Sequence, residues 1–117
     1  MRLIIDAEEL LKRYQDGERN FHGLELKGVD LERADLCEAN LSQANLENAN
    51  LSDAALVETN LENANLISAH LKRAGLDEAN LTKANLMYAN LRSANLTKAK
   101  LHGACLYLLG RSRFKFC

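Results

Sequence analysis

One spacing constrains this chain more than any other feature: between Phe21 and Leu106 a large apolar residue returns at every fifth position. Phe21 begins the series, and 17 leucines follow it without a gap. Two positions before the leucine, alanine stands in 14 of the 17 repeats. The exceptions are Leu24, Val29 and Thr59. The residue directly before the leucine is usually Asn or Asp. The fold must therefore bring every fifth residue into one core.

A period of five fits neither regular secondary structure. On an α-helix five residues advance about 500°, so successive leucines would lie about 140° apart and leave no apolar stripe. On a flat strand they would alternate between the two faces. All of them point inward only if the chain turns a corner once per pentapeptide. Four corners close a square coil of about 20 residues, and the next coil stacks on it about 4.8 Å away, at the spacing of strands in a sheet.

Each position of the repeat suits this geometry. Leucine fills the interior, and the alanine two places earlier points inward where a larger side chain would overfill a narrow core. Asn or Asp is expected beside the corner, where a short polar side chain bonds the turn backbone and tolerates unusual dihedral angles. The two residues after the leucine point outward and vary freely.

Units of the pattern A-(N/D)-L-x-x, such as residues 44–48 (ANLEN) and 79–83 (ANLTK), resemble the pentapeptide-repeat family. The resemblance covers about three quarters of the chain. It implies an all-β solenoid, specifically a right-handed quadrilateral β-helix. The handedness comes from the resemblance alone. The repeats from Phe21 onward would fill roughly four to five coils.

The sequence divides into three predicted segments: an N-terminal helical cap over residues 1–20, the β-helix over residues 21–108, and a C-terminal capping tail over residues 109–117. Asp6 and Glu9 form a D-x-x-E capping box, so a helix is expected to begin at Asp6 and to end near Gly17. We expect this helix to cover the first coil with Leu10, Leu11 and Tyr14. In the tail, Phe114 and Phe116 are expected to cover the last coil.

Because residues 20 apart stack in columns, the outward pairs form four walls, numbered here by the leucines they follow. The first wall follows Leu26 and its stacked equivalents. It carries the apolar residues that we predict as an interface, unless the tail folds over them. They are Ile67, Met87, Tyr88, Tyr107 and Leu108.

The other three walls are polar. The second wall, which follows Leu31 and its equivalents, carries a small basic patch of Lys72, Arg73 and Arg92. The third wall stacks three glutamates that are expected to repel one another. A solvated face is the preferred interpretation of this acidic column, and a docking site is the alternative. The fourth wall is mostly neutral. The glutamates are Glu38, Glu58 and Glu78.

No group of residues in the sequence looks catalytic. His22 and His102 share a column but lie four coils apart, roughly 19 Å, which is too far to share a metal. No glycine-rich phosphate loop is present. A core filled by leucine and alanine leaves no cavity for a small molecule, so neither a substrate nor a cofactor is expected. Three free thiols are the preferred interpretation of the cysteines, and a bridge between Cys105 and Cys117, formed by a tail that folds back, is the alternative.

The preferred function is a non-catalytic protein-interaction or scaffold module with an unknown protein partner, as a monomer or a weak homodimer. A net charge of −1 argues against direct nucleic-acid or membrane binding. The early acidic residues do not fit a secretory signal, so a cytoplasmic location is expected. The family resemblance supplies an alternative, a DNA mimic that binds a type II topoisomerase (gyrase). Such mimics are strongly acidic, which this chain is not.

Overall fold

The structure is a computed structural model that describes residues 3–107 and the backbone of residues 115–116. The elements are helix α1 (Ala7–Gln15) and strands β1 (Asn85–Leu86), β2 (Cys105–Tyr107) and β3 (Lys115–Phe116). Elsewhere the ladder consists of parallel single-residue bridges. From Asn20 onward each joins one residue to the residue 20 later, as in Asn45 with Asn65, and an additional bridge joins Ile4 to Glu25. This register confirms the predicted coil of four pentapeptides.

The core runs along the axis of the coils. From Leu26 to Leu86 every leucine of the series is at most 2% exposed. Thr59 takes the small-residue position and is fully buried, and its hydroxyl donates to the backbone carbonyl of Leu36 at 2.9 Å. The alternation of leucine and alanine around the axis is thus the packing that the sequence predicts.

The backbone explains why the repeat has five residues. In the unit 46–50, the N–H of Leu46 donates to the next coil, to Asn65 at 2.7 Å, and the N–H of Asn48 does the same. The N–H of Ala49 closes a turn on the carbonyl of Leu46, and that of Asn50 donates to the preceding coil. The fifth N–H of the unit, that of Glu47, donates to the Asn45 side chain at 3.1 Å. Every N–H in the unit is bonded, as a buried coil requires.

The turn does not lie where the sequence interpretation placed it. It occupies the two residues after each leucine, and the second of these has a positive φ, between 57° and 63° at 14 non-glycine residues. The i+3 to i hydrogen bond and a left-handed third residue are the features of a type II turn. The expectation that the Asn or Asp before the leucine adopts the unusual dihedral angle was therefore wrong. The positive φ belongs to the residue three positions after that Asn or Asp, such as Arg33 or Glu38.

The residue before each leucine, here called the pre-leucine residue, instead accepts a hydrogen bond from the turn and bonds to its equivalent in the adjacent coil. Its side-chain oxygen accepts the N–H two residues on, as in Asn65 with Ile67 at 3.1 Å, which confirms the predicted bond to the turn. Its amide can also donate to the pre-leucine residue of the preceding coil, as Asn65 does to Asn45 at 3.2 Å. Ala55 and Gly75 stand in the same column and offer no such acceptor.

Helix α1 begins and ends much as its sequence predicts. The Asp6 side chain accepts the N–H of Glu9 at 2.8 Å. In a complete capping box the Glu9 carboxylate would also accept the backbone N–H of Asp6. Here that carboxylate instead accepts a hydrogen bond from Arg13 at 2.9 Å. At the other end Gly17 has φ +101°, and the N–H groups of Gly17 and Glu18 donate to Tyr14 and Arg13. That pair of bonds is a Schellman motif.

Three side chains of α1 pack against the β-helix. Leu10 is fully buried, and Leu11 and Tyr14 pack against the same core. The Tyr14 hydroxyl donates to the Cys37 carbonyl at 2.8 Å, and the guanidinium of Arg19 lies 3.7 Å from the centre of the Tyr14 ring. No helix in the described residues is long and apolar enough to cross a membrane.

At the C-terminal end the chain reverses direction. Strand β2 pairs in parallel with β1, with Leu106 beside Leu86, and β3 pairs antiparallel with β2, with Phe116 beside Leu106. The predicted covering of the last coil by the side chains of Phe114 and Phe116 lies outside the described residues.

Candidate interaction surface

The structure brings four of the five predicted interface residues onto one surface near the C-terminal end. The Tyr88 side chain is 60% exposed, and its ring lies 5.2 Å from that of Tyr107 at a tilt of 40°. Met87 and Ile67 are half-buried beneath them on the first wall. Leu108 lies outside the described residues. We call the surface of Ile67, Met87, Tyr88 and Tyr107 the tyrosine surface.

The position of Tyr88 departs from the pattern of the other repeats. It occupies the left-handed turn position with φ 62°. The 13 other non-glycine residues with positive φ in the described chain are Arg, Lys, Glu, Asp, Gln, Asn or Ser. A bulky side chain in this conformation costs about 1 kcal/mol or more. Tyr88 is therefore an aromatic ring held out into solvent at a strained position.

A pocket of about 530 Å³ adjoins the tyrosine surface where the first wall meets the end of the coil. Its lining includes Tyr88, Tyr107, Leu91 and Leu106, together with Arg92. This arrangement of apolar walls beside one cation is suited to an aliphatic or aromatic side chain near a carboxylate.

The last coil leaves part of the core open. Its leucines are half-buried, whereas those of the preceding coils are fully buried. The apolar surface that begins at Tyr88 therefore continues onto the end of the β-helix. The half-buried leucines are Leu91, Leu96, Leu101 and Leu106.

A second apolar surface lies at the N-terminal end and was not among the predicted sites. Leu3 and Ile4 are 54% and 76% exposed, and Ile4 borders a pocket of about 340 Å³ together with Leu26 and Val29. The backbone there is paired, since the N–H of Glu25 donates to the carbonyl of Leu3 at 2.9 Å. The short apolar run at residues 3–5 was the available signal in the sequence.

One cation of the predicted basic patch on the second wall is paired with a carboxylate. Arg73 forms a two-pronged ion pair with Asp53, at 2.7 and 2.8 Å, across adjacent coils. The pair holds the pKa of the Asp53 carboxyl below its usual value. Of the other two predicted cations, Lys72 lies one coil before Arg92 in the same column, and Arg92 also lines the pocket described above.

The third wall behaves as the sequence predicts. Glu78 and Glu38, in the coils on either side of Glu58, raise the pKa of the Glu58 carboxyl by repulsion. The side chain of Glu58 is exposed. Repulsion along this column is consistent with a solvated face.

The described residues contain no group of three or more His, Cys, Asp or Glu side chains placed to hold a metal ion. His22 makes a local contact, with its Nδ1 2.7 Å from the Ser42 hydroxyl. Cys37 is a free cysteine, and burial, followed by Asp35, raises the pKa of its thiol. A thiol in that state is a poor nucleophile.

The predicted bridge between Cys105 and Cys117 falls partly outside the described residues. Cys105 is disulfide-bonded, so the preferred expectation of three free thiols was wrong. Cys117 is not described, so its pairing with Cys105 stays a prediction. A mass difference of about two daltons between reduced and oxidised protein is the measurement that tests it.

Acidic and basic residues are unevenly distributed along the chain, which the overall net charge does not show. All 16 acidic residues lie in residues 1–78, together with 8 basic ones. Residues 79–117 contain 7 basic residues and no acidic one. Since the coils stack in sequence order, the end that carries the tyrosine surface is the basic end of the β-helix.

The pattern of the family described as pentapeptide repeat region matches residues 29–106. The chain belongs to the pentapeptide-repeat family. Members of this family fold as right-handed quadrilateral β-helices. No protein with a curated function matches the sequence.

Two solved pentapeptide-repeat structures from Nostoc PCC 7120 resemble this chain. Alr5209 is 32% identical with a TM-score of 0.77, over 91% of this chain and 98% of that one. HetL, a pentapeptide-repeat protein involved in heterocyst differentiation regulation, is 37% identical with a TM-score of 0.54. That match covers 86% of this chain and 46% of HetL.

QnrB1, a plasmid-mediated fluoroquinolone resistance protein, is much more distant. It is 19% identical over 73% of this chain, with a TM-score of 0.32. At that distance it carries no inference about the function of this pentapeptide-repeat protein.

Proposed function

We propose that this chain is a non-catalytic protein-binding module whose contact site is the tyrosine surface. The observation that carries the proposal is Tyr88, a ring 60% exposed in a left-handed turn where the equivalent described positions hold polar residues or glycine. Exposed, preordered aromatic rings beside a pocket are typical of residues that dominate binding energy at protein interfaces.

The geometry of the fold supports this role. The turns fix the direction of each outward side chain, so Tyr88 and Tyr107 lose little side-chain entropy when a partner binds. The core is filled by leucine and alanine, which places all specific chemistry on the outer surface. A rigid surface with exposed aromatic side chains suits a scaffold or regulator, and HetL is a family member involved in a regulatory process.

The proposal includes the architecture that presents the surface: roughly four to five coils, with α1 as the cap of the first coil. The burial of Leu10 and the bond from Tyr14 to Cys37 support the capping role. Open β-helix ends expose leucines and backbone edges and invite association, which a cap at one end prevents. The proposed partner is another protein.

Site-specific photocrosslinking in cells of the native host tests the proposal. A photoreactive phenylalanine analogue replaces Tyr88, and in a matched variant it replaces Asn63, an exposed residue at the same turn position on the fourth wall. We expect a distinct crosslinked protein at position 88 that is absent at position 63. Identical products at both positions, or none at position 88, would contradict the proposal.

A further inference from the structure

The two ends of the β-helix differ in charge as well as in exposure. Around the last coil, the cations Arg92, Lys98 and Lys100 are all exposed. They lie on successive sides of that coil, on the second wall, the third wall and next to the fourth. Lys98 continues the column of glutamates on the third wall, so the sign of the charge reverses at this end.

Within this ring of cations lies apolar surface. Leu91 and Leu106 line the pocket beside Tyr88, and Leu96 and Leu101 are half-buried in the same coil. Strand β3 pairs with the edge of β2, beside Leu106 and Tyr107, and leaves Leu91 and Leu96 partly exposed. The end face is therefore an apolar centre with a basic rim.

The opposite end shows what covers such a surface in this fold. There, α1 lies on the first coil with Leu10 fully buried, and Phe21 and Leu31 beneath it are each only 1% exposed. The outward side of α1 carries Glu8 and Glu9, both exposed. An amphipathic helix is thus the element that buries an end coil here, and its outer side carries both signs, with Glu8 and Glu9 in the first turn and Lys12 and Arg13 in the last.

We propose that the C-terminal end face binds an amphipathic helix with acidic flanks, supplied by a partner protein. The inference rests on the proposed function and adds the chemical class of the partner. An apolar side chain of the helix enters the pocket between Tyr88, Leu91 and Tyr107, in the manner of helix-in-groove recognition. Carboxylates on its flanks pair with Arg92, Lys98 and Lys100, which sets orientation and speeds association.

Two other occupants fit the observations less well. Nucleic acid is bound by cations that follow the path of a phosphate backbone, whereas these cations surround an apolar centre. The α1 helix of a second copy already buries Leu10 in its own core, so it does not have an apolar side free to offer.

Titration calorimetry on the full chain with three synthetic helical peptides tests the proposal. The first peptide carries leucines on one side and glutamates on the other. The second replaces the glutamates by lysines, and the third keeps the composition of the first in scrambled order. Single-stranded oligothymidine serves as the nucleic-acid ligand, and light scattering gives the mass of the chain alone.

We expect binding of the acidic peptide that weakens with added salt. The variants Arg92→Ala and Tyr88→Ala should each bind it about tenfold more weakly, as expected when one strong contact is lost. Lys27→Ala removes a cation from the first wall at the N-terminal end and should leave the affinity unchanged. Amide exchange of each variant checks that the coils remain folded.

Four outcomes would overturn the proposal: no binding of the acidic peptide, equal binding of the lysine or scrambled peptide, preferential binding of oligothymidine, or a stable dimer that blocks the peptide. Crosslinks at position 88 together with any of these outcomes would leave the protein-binding function standing and reject only the helical, acidic partner. Loss of those crosslinks would instead reject the binding function itself.

Discussion

The pre-leucine side chain supplies the one hydrogen bond per repeat that the backbone cannot make for itself. Asn65 accepts the N–H of Ile67 at 3.1 Å and donates to Asn45 at 3.2 Å. We expect Asn65→Ala to lower the free energy of unfolding by about 1–2 kcal/mol, since both bonds are lost in a half-buried setting. Urea denaturation measures the difference.

The reverse substitution serves as the matched experiment. Ala55 holds the same repeat position without an acceptor, so Ala55→Asn should raise the free energy of unfolding by up to about 1 kcal/mol. If neither Asn65→Ala nor Ala55→Asn changes the free energy of unfolding, the pre-leucine asparagines do not stabilise the turn.

Left-handed turn residues give a second test at this scale. Ser68 is the second residue after its leucine and has φ 58°. Ser52 is the first residue after its leucine and is not among the residues with positive φ. Both serines are half-buried. Ser68→Gly should raise the free energy of unfolding by up to about 1 kcal/mol because it relieves left-handed strain. Ser52→Gly should lower it by about 0.5–1 kcal/mol.

Thermal or urea unfolding of the two variants gives the comparison. The two glycine substitutions must change the free energy of unfolding in opposite directions, although the sizes of the two changes need not match. A loss of stability in Ser68→Gly as large as that in Ser52→Gly would mean that the left-handed position carries no strain.

The inward positions of leucine and alanine could be predicted from spacing alone, because burial at every fifth residue admits few backbone paths. The place of the turn could not, since Arg33, Glu38 and Lys83 adopt positive φ without belonging to the residue types that favour it. A signal was present: Gly23, Gly28 and Gly103 all fall at that position. The turn geometry is imposed by the stacked coils and overrides local preference.

Among the elements, the third wall couples stability to pH. Glu78 and Glu38 raise the pKa of Glu58 in the folded protein. A raised carboxyl pKa contributes stability that is present below the unfolded value of about 4.3 and is lost as pH rises through the folded value. At neutral pH the charged column therefore lowers stability.

We expect Glu58→Gln to raise Tm at neutral pH in low salt, and to lose this advantage both in high salt and when acid protonates the column. Glu62→Gln is the control, because Glu62 stacks between Ser42 and Thr82 and has no acidic neighbour in its column. Calorimetry across the acidic range measures both. A Tm gain that persists at low pH would not be electrostatic.

Helix α1 shows which features of an element the sequence predicts and which it does not. The helix could be placed from its cap, its apolar side and Gly17, because each signal is local. Its hydrogen bond from Tyr14 to Cys37 spans 23 residues and has no local signature. The ion pair of Arg73 with Asp53 was missed for the same reason, since it joins residues one coil apart.

For the whole molecule, the direction of stacking turns a nearly neutral chain into one with an acidic and a basic end. The candidate surface at the basic end was predicted in part: the apolar wall was visible in the sequence, but the exposure of Tyr88 and the pocket beside Arg92 were not. Both depend on how far the last coil remains uncovered, which no local pattern encodes.

Each pentapeptide turns one corner, and where the pre-leucine residue is Asn or Asp its side chain accepts the one N–H that the backbone leaves unpaired. Residue-resolved amide hydrogen exchange by NMR tests this directly. It should show slow exchange for Glu47 and Ile67, which follow Asn45 and Asn65, and faster exchange for Val57 and Asp77, which follow Ala55 and Gly75. Equal protection at all four amides, or protection recurring at helical spacing, would contradict it.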